Sequence, residues 1–237
     1  MKKNLLLLIA LLMVTGLYAE SKRYFEADDM PDALLFLPAP PAYGSEAFRY
    51  DSCQYEWGKT VRITERGITA ALDANTSIDY IGGIFGPIIG IVLDKKSTPE
   101  IVELLKIATK TGSLADDKAK AYYHRTRPFV YFDEPSLTPA DEPFLRNNGS
   151  YPSGHTLLGW LSALILTEVA PAHQNAILAR GYEYGQSRVI VGVHWQSDVN
   201  AGRCVAAAAF ARLHTSEDYL KQLKKARQEY QELTQTK

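Results

Sequence analysis

Three short polar segments carry the residue types that could do chemistry in this chain of 237 residues. The first holds Lys120 and Arg127, which are followed by Pro128. Residues seven apart share one face of a helix, so we expect both cations to point the same way. Two long cations on one helix are common at protein surfaces, and this segment alone is therefore a weak signal.

The second segment, residues 149–156, reads GSYPSGHT and precedes the most hydrophobic stretch of the folded chain. A Ser-Gly turn at the start of a helix presents free backbone N–H groups and the positive end of the helix dipole, which suits an anion. Plain capping by Ser153 is the competing interpretation. It does not account for His155, because a cation is disfavoured in the first turn.

The third segment holds Arg188, His194 and Asp198. His194 and Asp198 are four residues apart, so on a helix the carboxylate can reach one imidazole nitrogen and determine which nitrogen stays free. That pairing makes a histidine a better nucleophile or base, and it stabilises an imidazolium or a phosphoimidazole. A simple ion pair on a helix has the same spacing.

Together the segments offer three cations, an anion site at a helix start and two histidines, one of them backed by a carboxylate. Phosphoryl transfer needs this equipment, because charge on three phosphate oxygens must be neutralised while a nucleophile and a proton donor act on opposite sides. The combination therefore predicts a phosphoryl-transfer site.

The order of these motifs resembles the three-part signature of the type 2 phosphatidic acid phosphatase (PAP2) superfamily. The run at 149–156 is similar to its class A bacterial non-specific acid phosphatases, and the likeness continues through residues 64–67, 73–75 and 181–183. The resemblance covers most of the chain from residue 20 onward. It implies an all-α fold, a single-domain helical bundle of the PAP2/haloperoxidase type over residues 20–237.

The resemblance also implies a role for each motif residue. His194 would attack phosphorus and form a phosphohistidine, Asp198 would orient it, and His155 would protonate the leaving alcohol and then activate water. The residues that would hold the phosphate oxygens are Lys120, Arg127, Ser153, Gly154 and Arg188. No metal or cofactor is implied, because three cations already do what magnesium or zinc does elsewhere.

The predicted function is a metal-independent acid phosphatase that hydrolyses phosphomonoesters of broad structure and can pass the phosphoryl group to an alcohol. Inorganic phosphate is the second expected ligand, vanadate an expected inhibitor, and family habit suggests a homo-oligomer. We expect His194 neutral and His155 protonated, which gives a bell-shaped pH profile. Residues 129–150, a long segment without clear periodicity, are expected to set substrate selectivity.

Three other functions use the same residues. A vanadium-dependent haloperoxidase would bind vanadate at the same anion site, but such enzymes are typically much longer chains. A non-catalytic phosphate-binding protein would need no nucleophile backed by a carboxylate. A zinc enzyme could use His155, His194 and Asp198 as ligands, and chelators would inhibit it.

The N-terminus has the layout of a cleaved secretory signal peptide over residues 1–19. Lys2 and Lys3 precede an uncharged run, residues 5–14, and small residues follow. We therefore predict a periplasmic or secreted protein. The remaining chain has no apolar run of about 18 residues, which argues against stable membrane insertion. With 26 basic and 27 acidic side chains, the full chain also lacks the basic excess of a nucleic-acid-binding protein.

Caps and apolar spacing predict helices over most of the chain, and no alternating strand pattern is present. The predicted helices cover 45–57, from 64, from 98, 113–127, 154–170, 172–188, 195–213 and from 216. Residues 77–94 contain several glycines and Pro87, and we predict a buried loop or broken helix. Prolines predict an extended leader over 20–44. Cys53 and Cys204 are expected to be buried apolar side chains, although one bridge between them is possible.

Overall fold

The computed structural model describes residues 22–235, so the predicted signal peptide lies outside the described residues. Between residues 22 and 235 the regular structure is entirely helical, which confirms the all-α prediction. The helices are α1 Ala33–Phe36, α2 Glu46–Arg62, α3 Glu65–Leu72, α4 Ile78–Ile89, α5 Pro99–Gly112, α6 Asp117–Tyr123, α7 Pro128–Tyr131, α8 Glu142–Leu145, α9 Gly154–Val169, α10 Gln174–Ile190, α11 Gln196–Leu213 and α12 Glu217–Gln235.

Helix α9 lies at the centre of the bundle and contacts α5, α10, α11 and α12. Its sequence is apolar almost all round, and a helix of that kind is stable only when neighbours cover it on several sides. Leu157, Leu161 and Ile165 are fully buried there. The start of α9, which carries the GSYPSGHT motif, is thereby held rigidly against its neighbours.

Helices α9 and α10 approach each other closely because glycines lie at their contact. A Cβ atom on Gly159 would lie 2.1 Å from Cδ1 of Tyr184, and one on Gly181 would lie 2.5 Å from Cβ of Ala163. Interiors packed at this density have no room for an added methyl group. The two helices that carry His155 and Arg188 are therefore fixed relative to each other.

The prediction of a loop or broken helix at residues 77–94 is wrong for residues 78–89, which form the continuous helix α4. Ser77 caps its start, with Oγ accepting from the N–H of Tyr80 at 3.2 Å. The glycines provide space rather than breaking the helix: a Cβ on Gly82 would lie 2.0 Å from the carbonyl oxygen of Leu93. The returning segment packs directly on the helix at that point.

The predicted helix over 113–127 is also wrong in its extent. A 3-10 turn at Ser113–Ala115 leads into α6, which ends at His124 with a positive φ of 38°. Arg127 is extended, because a residue before proline disfavours the helical conformation, and Pro128 starts α7. Lys120 and Arg127 therefore do not share a helical face, and the turn between them must bring them together.

Two further expectations differ from the structure: the leader is not extended throughout, and the two cysteines are not buried. Residues 22–44 include a 3-10 turn at Ala27–Asp29 and helix α1, and the Tyr151 hydroxyl donates to the carbonyl of Pro38 at 2.7 Å. Cys53 and Cys204 are free thiols and both are exposed. The expectation that they are buried is wrong, since each lies on the solvent side of its helix, α2 and α11.

Candidate active site

A cleft of about 270 Å³ lies where the turn after α6, the start of α9 and the end of α10 meet. It brings together most of the residues that the three motifs supply. Its lining includes the predicted site residues Lys120, Arg127, Gly154, His155, Arg188 and His194. Ser153 and Asp198 are fully buried behind this surface. Motifs separated by tens of residues thus form one site.

His194 precedes α11 rather than lying on it, and it is 3 % exposed. Its Nδ1 lies 3.4 Å from Oδ2 of Asp198, and its Nε2 lies 3.0 Å from Nη1 of Arg127. A carboxylate only accepts and a guanidinium only donates, so Nδ1 carries the proton and the electron pair of Nε2 accepts from Arg127. Burial lowers the pKa of His194 to about 3, with Arg127 adding to that effect and Asp198 opposing it. The imidazole is therefore neutral.

Asp198 holds His194 and also caps the helix that follows. Its Oδ2 accepts from the backbone N–H of Trp195 at 2.8 Å, and the Ser150 hydroxyl donates to the same oxygen. Burial alone would raise the pKa of Asp198, but the hydrogen bond from His194 and the charge of Arg125 lower it to about 2. The carboxylate is therefore ionised at pH values well above 2.

Arg125 lies directly behind Asp198, and reasoning from the sequence missed it. This guanidinium is buried between two carboxylates, with Nη1 2.5 Å from Asp198 Oδ1 and Nη2 2.8 Å from Asp51 Oδ2. Ser150, quoted only as part of a motif, places its Oγ 3.3 Å from Nδ1 of His194. Asp51 lies 74 residues from Arg125, so no local spacing could have indicated the pair.

His155 is oriented by backbone and by an aromatic ring. Its Nε2 lies 2.6 Å from the carbonyl oxygen of Asp73, and its ring stacks on Tyr184 with centroids 4.6 Å apart. A carbonyl only accepts, so Nε2 carries a proton and Nδ1 is the nitrogen that titrates. Burial lowers the pKa of His155 well below its usual value, and the charge of Arg188 adds to this. Contrary to expectation, His155 is neutral in the resting cleft.

Asp73 fixes the carbonyl group that His155 contacts. Its buried carboxylate accepts from the Tyr80 hydroxyl at 2.7 Å, from the Ser187 hydroxyl at 2.6 Å and from both terminal nitrogens of Arg180. The end of α3 is thereby tied to α4 and α10. The sequence analysis included residues 73–75 in the family likeness without assigning them a role.

Two of the three cations are held by protein oxygens. Lys120 Nζ lies 3.4 Å from Oδ2 of Asp116 and 2.5 Å from the carbonyl oxygen of Pro152. Arg127 Nε donates to the carbonyls of Leu145 and Asn148, each at 3.0 Å. Burial lowers the pKa of Arg127 to about 10, so the group remains charged.

Arg188 differs from the other two cations because it is 4 % exposed and keeps unpaired donors. Within residues 22–235, its Nε and Nη1 have no hydrogen-bond partner. Leaving charged donors buried and unpaired costs about 1–3 kcal/mol each or more, and an anion in the cleft would remove that cost. This guanidinium therefore indicates an anionic ligand.

The start of α9 is capped by a serine and is approached closely by a carboxylate. Ser153 Oγ accepts from the N–H of Thr156 at 3.2 Å, so the capping interpretation holds for this hydroxyl. A Cβ on Gly154 would lie 2.9 Å from Oδ2 of Asp116. Glycine at this position thus lets the carboxylate that pairs with Lys120 approach the helix start.

Residues 22–235 show no candidate metal cluster and no candidate membrane span. No cluster of three or more histidine, cysteine or acidic side chains there has the arrangement of a metal site. No helix in that range is long and apolar enough to cross a membrane.

The sequence is similar to those of known proteins. Residues 104–221 match the family model described as the PAP2 superfamily. A non-specific acid phosphatase of Providencia stuartii is 45% identical over 89% of this chain and 85% of its own length. One of Salmonella typhimurium is 43% identical over 96% of this chain and 92% of its own length. The chain belongs to the PAP2 superfamily, among its non-specific acid phosphatases.

One solved structure with some likeness is a transmembrane PAP2-type phosphatidylglycerolphosphate phosphatase of Bacillus subtilis. It covers 71% of this chain and 85% of its own, at 20% identity and a TM-score of 0.48.

Proposed function

We propose that phosphomonoester hydrolysis by this acid phosphatase passes through a phosphohistidine on His194. The curated relatives named acid phosphatases support the activity. The observation that supports the mechanism most is the pair of unpaired, buried N–H donors of Arg188 in the same cleft as a neutral imidazole whose Nε2 is unprotonated. A phosphate group bound there would meet donors from three cations.

In the first step, the electron pair of His194 Nε2 forms a bond to phosphorus while the bond from phosphorus to the ester oxygen breaks. His155 gives a proton to that leaving oxygen, so an alcohol departs rather than an alkoxide. The imidazole becomes positively charged as the P–N bond forms, and Asp198, held ionised by Arg125, stabilises that charge. Lys120, Arg127 and Arg188 stabilise the negative charge on the phosphate oxygens.

In the second step, His155 takes a proton from a water molecule whose oxygen attacks phosphorus. The P–N bond breaks, its electrons return to Nε2 of His194, and inorganic phosphate leaves. An alcohol in place of water would give a new ester, which is the proposed phosphotransferase activity. The positive charge that magnesium or zinc provides in other phosphatases comes here from the three cations.

The resting, neutral state of His155 requires a source for the proton of the first step. A phosphate dianion beside Arg188 offsets the charge that lowers the pKa of His155. An ester that arrives as a monoanion brings the proton itself, because its second pKa is about 6. Acidic conditions favour both routes, and we infer an acidic optimum from this coupling.

Further features of the proposal concern breadth, inhibition, location and assembly. The cleft holds the phosphate end through motif residues and leaves the rest of the ester less constrained, which supports broad specificity. Vanadate, with the same charge and shape as phosphate, would occupy the same donors and inhibit. The N-terminal pattern supports a periplasmic or secreted protein, and a homo-oligomer remains part of the proposal.

The test is hydrolysis of p-nitrophenyl phosphate in excess EDTA at a pH of about 5 to 6, below the second pKa of a phosphate ester. We predict robust turnover, and a loss of about 10⁴-fold or more in His194→Asn because the nucleophile is absent. Rapid acid-free quenching should trap labelled phosphate on the wild-type chain and none on the variant. The control is His173→Asn, whose side chain lies in a 3-10 turn outside the cleft lining.

Two results would contradict the proposal. Near-wild-type turnover by His194→Asn would exclude the phosphohistidine. Activity that EDTA abolishes and zinc restores would instead favour the zinc enzyme that uses His155, His194 and Asp198 as ligands.

A further inference from the structure

The cleft has two chemically different ends. Its deep end holds buried polar groups, the charged Arg188, 4 % exposed, and the neutral His194, 3 % exposed. Its outer lining residues are uncharged, and they include Thr76, Phe144 and Leu158. Phe144 is 69 % exposed although it is an aromatic side chain. The steep change in exposure places Phe144 at the mouth, above the residues that would hold phosphate.

The backbone that carries Phe144 is anchored to the phosphate end. The carbonyl of the next residue, Leu145, accepts from Nε of Arg127 at 3.0 Å, and the Leu145 side chain is buried in an apolar cluster. Glu142, at the start of α8, accepts from the backbone N–H of Ser136 at 2.7 Å. The ring of Phe144 is exposed, but its position relative to Arg127 is fixed by these contacts.

The in-line geometry of the proposed reaction places the leaving group of the substrate near the ring of Phe144. In phosphoryl transfer the attacking and leaving atoms lie in line on opposite sides of phosphorus. Nε2 of His194 attacks from the buried end of the cleft, so the leaving oxygen and its substituent must face the mouth. Phe144 and Leu158 offer an apolar surface there, and none of the lining residues is acidic.

We propose that Phe144 forms a leaving-group subsite that selects phosphate esters of planar aromatic alcohols over esters of small aliphatic alcohols. This inference rests on the proposed function, because the orientation of the ester follows from attack by His194. An aromatic ring gains contact with Phe144 by stacking or edge contact, whereas a glycerol substituent remains in water. The preference acts on binding of the ester, since Phe144 does not touch the reacting atoms.

The test compares phenyl phosphate with glycerol 2-phosphate in the wild type, Phe144→Ala and Phe144→Tyr. Ring contacts are worth about 0.5–1.5 kcal/mol, so Phe144→Ala should raise the KM for phenyl phosphate by about 3- to 10-fold. Its KM for glycerol 2-phosphate and its inhibition by inorganic phosphate should change by less than about twofold, because the phosphate end is untouched. Phe144→Tyr keeps the ring and should retain the preference.

Tyr122→Ala is the matched control, because Tyr122 is 71 % exposed and does not line the cleft. It should leave both KM values unchanged. Equal changes for the two esters in Phe144→Ala, or the same discrimination loss in Tyr122→Ala, would overturn the subsite. Failure of the wild type to hydrolyse either ester would instead contradict the proposed function, so the two inferences fail separately.

Discussion

The two histidines of this cleft are both neutral without a ligand, but His194 can act as a nucleophile in that state, whereas His155 must gain a proton before it can act as an acid. His194 has Nδ1 committed to Asp198, and its lowered pKa of about 3 keeps Nε2 unprotonated at any ordinary pH. His155 has Nε2 committed to a backbone carbonyl, and burial beside Arg188 keeps Nδ1 unprotonated without a ligand. Only His155 therefore needs a change of protonation state before the first step.

This difference predicts that an anion brings a proton into the cleft. The pKa of His155 lies below its usual value in the free protein, and a bound dianion raises it, so binding should take up protons at pH values between the two. Sulfate is the suitable probe because it does not titrate in this range. Calorimetry in two buffers of different ionisation enthalpy should give an uptake of up to about one proton per site.

The proton uptake should vanish in His155→Asn and persist in His173→Asn. Uptake that survives the loss of His155 would show that another group receives the proton.

Sequence motifs indicated those residues of the candidate site whose partners are close in the chain. His155, His194 and the cations line the cleft and Asp198 is buried behind it, while their catalytic roles stay predictions. Arg125, in the turn after α6, was missed because its partner Asp51 lies 74 residues away on α2. The role of Asp73 was missed because it acts through its carbonyl, and the amino-acid sequence carries no signal for a backbone contact with His155.

At the scale of helices, the position of His155 depends on how closely α9 and α10 approach. Gly159 admits the ring of Tyr184, and that ring stacks on His155. A methyl group at position 159 would have to displace the ring. The packing of α9 against α10 therefore affects the position of His155 through the ring of Tyr184.

Gly159→Ala should lower the free energy of unfolding by about 1–3 kcal/mol, because an added methyl group in a filled core forces its neighbours to move. Gly83→Ala is the control: it lies in α4, and a Cβ there would meet nothing within 4 Å. Since alanine favours helix over glycine, the control should be neutral or stabilising by up to about 1 kcal/mol. Denaturant unfolding measures both, and equal stability of the two variants would contradict the packing argument.

Helix positions followed from caps and apolar spacing for much of the chain, including α5, α9, α10 and α11. The failures at α4 and after α6 have different physical causes. Glycine and proline were taken as breakers at 77–94, but Gly82 and Gly86 make room for Leu93 to pack. After α6, the helix ends at Tyr123 because His124 is left-handed, and Pro128 keeps Arg127 extended, so the helical spacing of Lys120 and Arg127 does not apply.

At the scale of the whole molecule, a buried chain of charges joins distant parts of the fold behind the nucleophile. Asp51 on α2 pairs with Arg125, which pairs with Asp198 on α11, which contacts His194. Ser197 joins the same network through Oγ, which Arg125 approaches to 2.7 Å. The position of α2, which does not line the cleft, is thus coupled to the charge of Asp198.

Loss of Arg125 should therefore move the acid limit of activity to higher pH. The pKa of Asp198 is lowered to about 2 in the folded protein. The ionised carboxylate therefore stabilises the fold above the pKa it has in the unfolded chain, and this stabilisation is lost as the pH falls through its pKa in the folded protein. Without the cation that pKa rises, by about 1 to 3 pH units, so Arg125→Gln should lose turnover at a less acidic pH than the wild type.

Because breaking a buried ion pair costs about 3–5 kcal/mol, Arg125→Lys is the second variant, and it should keep the wild-type acid limb. Arg212→Gln, which removes a guanidinium bonded to the leader at Asp29, is the control. An unchanged pH profile in a folded Arg125→Gln protein would rule out the coupling.

Asp198 receives both the backbone N–H that starts α11 and the imidazole of His194. Selection for a stable helix and selection for turnover therefore act on the same carboxylate. A descendant that had ceased to be an enzyme would still keep this aspartate for the sake of its helix, whereas nothing of the kind protects His194. In distant relatives, the histidine is thus the more informative sign of surviving catalysis.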